Sequence, residues 1–116
     1  MDSKYKLVMA ILQEDDYEST VEELNQHEIF VTKLSSTGGF FKKKNITVMI
    51  GVETEKLEQV LQILKVHSGR RRETVYMMPT PVAGAHCMAS ETPVPVAMDV
   101  GGVTVFVLDM DQLEKF

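Results

Sequence analysis

The residues in this sequence best suited to chemistry lie in one run, Thr32-Lys33-Leu34-Ser35-Ser36-Thr37-Gly38-Gly39-Phe40-Phe41-Lys42-Lys43-Lys44-Asn45. Gly38 and Gly39 admit positive φ and close backbone approach, so successive N–H groups can form a concavity for an anion. Phe40 and Phe41 offer ring faces on which bases stack, worth about 1–3 kcal/mol per base. Asn45 can pair with an adenine edge through its amide, and Lys42, Lys43 and Lys44 supply charge for phosphate. An anion carrying flat rings would use every part. The plainer alternative is a hairpin loop with a solvated basic tip. Neither G-x-x-x-x-G-K-[ST] nor G-x-G-x-x-G occurs.

The elements that must position this run are legible on either side of it. Lys6 to Gln13 holds the continuous apolar stretch Leu7-Val8-Met9-Ala10-Ile11-Leu12, the signature of a strand covered on both faces. Asp15 is expected to cap a first helix, with Glu18 closing a capping box and Tyr17, Val21 and Leu24 facing a core. His27 and Glu28 end it. Strands are expected at Ile29 to Ser35 and at Ile46 to Val52, joined as a long hairpin through the two glycines. Thr54 is the expected cap of a second helix, Leu57, Val60, Leu61 and Leu64 its buried stripe, and Gly69 its left-handed stop.

Beyond that helix, Arg70, Arg71 and Arg72 either complement the negative helix end or bind phosphate. Thr74 to Met78 reads as a fourth strand. From 79 to 95 the chain is rich in Pro, Ala and Gly, which build neither an ordinary helix nor a central strand. A loop of that length is usually functional or mobile. Strands then follow at Val96 to Val100 and Val103 to Leu108, across a Gly101-Gly102 turn, and an acidic tail with a helical turn closes the chain.

The resulting order, β-α-β-β-α-β, is the ferredoxin-like α+β arrangement with an extra C-terminal hairpin strand. At 116 residues one domain is expected over 1–116. Two helices hide one face of the sheet, yet the strands are apolar at nearly every position. The second face therefore calls for oligomerisation, with a symmetric homotrimer a natural solution; a loop folding back over it is the competing account.

Composition narrows the classes. A net charge of −5, from 12 basic and 17 acidic residues, argues against a general nucleic-acid binder. The apolar runs are too short for a membrane span. Cys87 is the single cysteine, and Met1 to Lys6 carries no secretory pattern, so a cytoplasmic protein is expected. His86-Cys87 is poor metal-ligand spacing without a second pair. His27 and His67 read as helix-end residues, and Glu14-Asp15-Asp16 as a helix N-terminus. No catalytic set and no metal site is expected.

Thr32-Lys33-Leu34, Thr37-Gly38-Gly39-Phe40, Asn45 and Gly101-Gly102-Val103-Thr104-Val105-Phe106-Val107 together resemble the PII-like cyclic di-AMP receptor family. The resemblance runs almost the whole chain and includes Gln13, Gly51-Val52-Glu53 and a terminal Phe. It implies a non-enzymatic signal-transduction protein, a homotrimer with cyclic di-AMP in the clefts between subunits, and a relay to an unidentified protein target. Thr32, Gly39, Phe40, Phe41, Asn45 and Gly51 match positions lining the family's cleft, and Thr37 and Gly38 complete the motif. Three departures stand out. Phe30 replaces an Arg and Lys115 a Gln, and the long loop reads Ala83-Gly84-Ala85-His86-Cys87-Met88-Ala89-Ser90-Glu91. Loss of a charge-assisted bond costs about 1.5–3 kcal/mol. The alternative is thus a PII-like interaction module that has lost or changed its nucleotide.

Overall fold

The structure is a computed structural model that describes residues 4–34, 44–77 and 93–116. The chain divides into two compact units, Met1–Arg70 with Gly101–Phe116, and Arg71–Val100. The first unit holds β1 (Tyr5–Gln13), α1 (Tyr17–Gln26), β2 (Thr32–Leu34), β3 (Asn45–Glu53), α2 (Leu57–Ser68) and β6 (Val103–Met110), and the second holds β4 (Arg71–Met77) and β5 (Val94–Val100). It is an α+β protein with two helices and antiparallel sheets, compatible with a ferredoxin-like arrangement.

The first unit is built on one sheet in the order β2-β3-β1-β6. The apolar run of β1 makes it a central strand, paired antiparallel with β3 on one side and β6 on the other. Val8, Ala10 and Leu12 alternate inward on β1, opposite Ile50, Val48 and Ile46 of β3. Against that face pack Leu24 of α1 and Val60, Ile63 and Leu64 of α2, all buried. A Leu→Ala change at such a position costs about 2–5 kcal/mol.

Several expectations are corrected at the helix ends. Asp15 caps no helix: Glu14–Asp16 form a 3-10 turn, and α1 starts at Tyr17 with no side-chain cap bond. The acids still sit where the helix dipole favours them. Thr20, not Val21, joins Leu24 in facing the core, and its hydroxyl donates to the Asp16 carbonyl at 2.7 Å. Thr54 likewise opens a 3-10 turn, Thr54–Lys56, rather than capping α2.

The first helix ends at His27 and Glu28 as expected, whereas the exit of α2 differs from expectation. Gly69 is extended, at φ −74 and ψ 166. Its missing side chain serves close approach instead, because a Cβ there would lie 2.3 Å from the Lys65 carbonyl oxygen. The left-handed residue is Glu28, at φ 61, after α1. Glu28 N–H donates to Asn25 O and Ile29 N–H to Leu24 O, the paired bonds of a Schellman ending, with Ile29 and Leu24 both buried.

The strand beside β1 is β6. Val103 and Val105 pack against the core, which the polar start of β4, Arg71-Arg72-Glu73-Thr74, is not composed to do. β4 instead pairs antiparallel with β5 as a two-stranded ribbon that forms the second unit. Here Arg71 pairs with Glu73 at 2.8 Å and Arg72 with Asp99 at 3.5 Å. β5 begins at Val94, with Pro95 inside it, which a ribbon tolerates because each strand has a free edge. Residues 111–116 carry no regular structure, so the expected helical turn is not formed.

The outer face of the sheet carries Leu7, Met9 and Ile11 of β1, Met49 of β3, and Phe106 and Leu108 of β6. Phe106 and Leu108 are 51% and 47% exposed.

Candidate functional site

A cleft of about 740 Å³ opens at one end of that outer face. Its floor comes from Leu7 of β1 and Met49 and Gly51 of β3. One wall is the stretch leaving α1, where Glu28, Phe30 and Thr32 succeed one another. The tail after β6 also borders it, through Met110, Leu113 and Lys115. Strand pairing sets this geometry: Thr32 stands opposite Met49, and Gly51 opposite Leu7.

Gly51 is exposed on the floor. A Cβ placed there would meet Met110 Cε at 3.5 Å and Leu113 Cδ1 at 3.6 Å, ordinary contacts. The missing side chain lets Met110 and Leu113 approach the backbone of the floor. The charged groups of the cleft are Glu28, Glu53, Lys56 and Lys115. Lys115 Nζ lies 5.3 Å from the centroid of the Phe30 ring, within cation–π range.

Of the expected ligand-binding residues, Thr32 and Gly51 are brought together in this cleft. Asn45 shares the outer face of β3 but stands at the far end of the strand, opposite Gln13. The Gln13 amide donates to the Gly101 carbonyl at 3.0 Å, and Gly102 N–H donates to Ser68 O at 2.9 Å. Gly101 and Gly102 have φ of 81 and 127, as the expected turn requires. Thr37, Gly38, Gly39, Phe40 and Phe41 lie outside the described residues, as do His86 and Cys87.

Sequence reasoning missed Glu28, Met110 and Leu113 as cleft residues, and missed the contact between Phe30 and Lys115. The long range between Leu113 and Gly51 left no periodic signal. His27 and His67 do more than end helices. His27 bonds Glu23 at 3.3 Å and Gln59 of α2 at 2.9 Å, while His67 bonds Ser19 of α1 at 2.9 Å, so both knit α1 to α2. Among the described residues, no three His, Cys, Asp or Glu side chains group to hold a metal ion. No described helix is long and apolar enough to cross a membrane.

Sheet, exposed floor and mixed walls define a small α+β protein with a ligand-sized cleft. Residues 5–116 match the family described as Cyclic-di-AMP receptor, and the chain belongs to that family. It is also similar to a solved protein from Pediococcus pentosaceus ATCC 25745 described as functionally unknown. The two are 38% identical over 98% of this chain and 99% of that one, with a TM-score of 0.75.

Proposed function

We propose that this chain is a PII-like signal-transduction protein that senses cyclic di-AMP, one molecule in each cleft between subunits of a cytoplasmic homotrimer. Family membership supports the ligand class. The observation that carries the site is the meeting of Thr32 and Gly51 in a cleft whose floor, Leu7 and Met49, continues into the exposed apolar sheet face. A second protomer seated on that face would border the cleft. Residues 1–116 act together as one PII-like domain, Thr37, Gly38, Gly39, Phe40, Phe41 and Asn45 complete the binding set, and the 79–95 loop relays occupancy to an unidentified protein target. The role is binding and relay, without catalysis.

The test is thermal unfolding with cyclic di-AMP, cyclic di-GMP and ATP in turn. Ligand at a hundred times its dissociation constant stabilises the folded state by about 2.7 kcal/mol. A rise in melting temperature confined to cyclic di-AMP supports the reading; no rise with any of the three contradicts it. One observation favours a second reading, an interaction module that has lost or changed its nucleotide: an uncharged Phe30 stands in the cleft wall where the resemblance implies an arginine.

A further inference from the structure

The C-terminal tail has no regular secondary structure, yet it is placed by specific contacts. Leu113 lies against the Gly51 floor, and two residues later the Lys115 ammonium sits over the Phe30 ring. Phe30 is 72% exposed, so its ring contributes little to the core, and its placement calls for another explanation. Among the described residues Lys115 has that ring, and no carboxylate, as its partner. An ammonium held by a ring face keeps its donors for a further acceptor, because the ring consumes no hydrogen-bond acceptor. Both residues line the same cleft.

We propose that Phe30 and Lys115 work as one device, the ring fixing the ammonium so that it meets a phosphodiester of the bound nucleotide; this rests on the nucleotide reading of the cleft. Lys115 is a positioned ligand contact and Phe30 its positioning residue. The other charges that face the cleft are Glu28, Glu53 and Lys56. The two carboxylates repel a phosphate, which makes the placement of each ammonium decisive for where the ligand's phosphates lie. The pair also makes the tail part of the binding site, so that a bound phosphate holds residues 111–116 against the wall formed by Phe30.

The experiment is calorimetric titration of the full-length protein and three variants with cyclic di-AMP, at low and high salt. Lys115→Gln is expected to weaken binding on the order of tenfold or more and to flatten the salt dependence by about one charge. Phe30→Leu keeps apolar volume without the ring face, so it should lose less affinity and keep the parent's salt slope. Lys115→Arg keeps the charge and stacks on the ring, so it should bind close to the parent. A Lys115→Gln protein with the parent's affinity and salt slope overturns the device and leaves the nucleotide reading standing. So does a loss in Lys115→Gln matched equally by Lys115→Arg. A parent that binds no cyclic di-AMP overturns the nucleotide reading, and the device with it.

Discussion

Asn45 and Gly51 stand on one face of β3, six residues and therefore roughly 20 Å apart. Gly51 belongs to the cleft with Thr32, whereas Asn45 faces Gln13, whose amide holds the Gly101 turn. A ligand read by both residues must reach along the strand or be shared between protomers. A dinucleotide has two bases and so two ends to read. Gly51→Leu, which fills the floor, and Asn45→Ala, which removes an amide worth about 1–3 kcal/mol against an adenine edge, should each weaken cyclic di-AMP binding. At this separation the losses should add within about 0.5 kcal/mol. Calorimetry on both single variants and the double variant checks this. A single variant that binds like the parent removes that residue from the site.

The exposed sheet face makes a prediction about assembly. Phe106 and Leu108 lie on it side by side with Met9 and Leu7. If a second and third copy cover this face, Phe106→Lys should reduce the mass measured by light scattering from three chains to one, with helical circular dichroism retained. A parent that is already a single chain contradicts the trimer.

Glu28 spends free energy at the cleft wall. A non-glycine residue in the left-handed region costs about 1–2 kcal/mol, and Glu28 closes the Schellman ending at φ 61. After glycine's own entropy cost, Glu28→Gly should stabilise the fold by about 0.5–1 kcal/mol in urea unfolding. Unchanged or lowered stability would mean that the carboxylate makes contacts worth as much as the strain.

Gly69 should behave in the opposite way. A Cβ at 2.3 Å from the Lys65 carbonyl forces the end of α2 to shift, so Gly69→Ala should destabilise by about 1–3 kcal/mol. The φ of −74 is open to any residue, so relief by backbone adjustment would appear as a loss near zero.

Legibility followed the range of the physics. β1 was readable as a local, continuous apolar run, and α2 because its apolar positions are local and periodic: Val60 and Leu64 fall on the buried stripe that spacing alone implied. Caps were misread at Asp15 and Thr54 because the chain spends those residues in 3-10 turns, and a residue-type preference does not reveal which turn wins. The pairing of β6 with β1 was not legible for a different reason. Both segments have strand composition, and strand choice depends on which one can bury Val103 and Val105 against a core formed elsewhere in the chain. At the site, Thr32 and Gly51 were singled out by resemblance, and the structure brings them to one cleft. The Phe30–Lys115 contact spans 85 positions (115 − 30), and its two partners were noticed separately, as departures, with nothing local to join them.

The most direct test of the central claim is the stoichiometry of a calorimetric titration of the purified protein with cyclic di-AMP, with ATP and cyclic di-GMP as controls. The account predicts saturable heat at one ligand per chain, specific to cyclic di-AMP and lost in Gly51→Leu. No heat with any of the three nucleotides, or equal binding by Gly51→Leu, would contradict it.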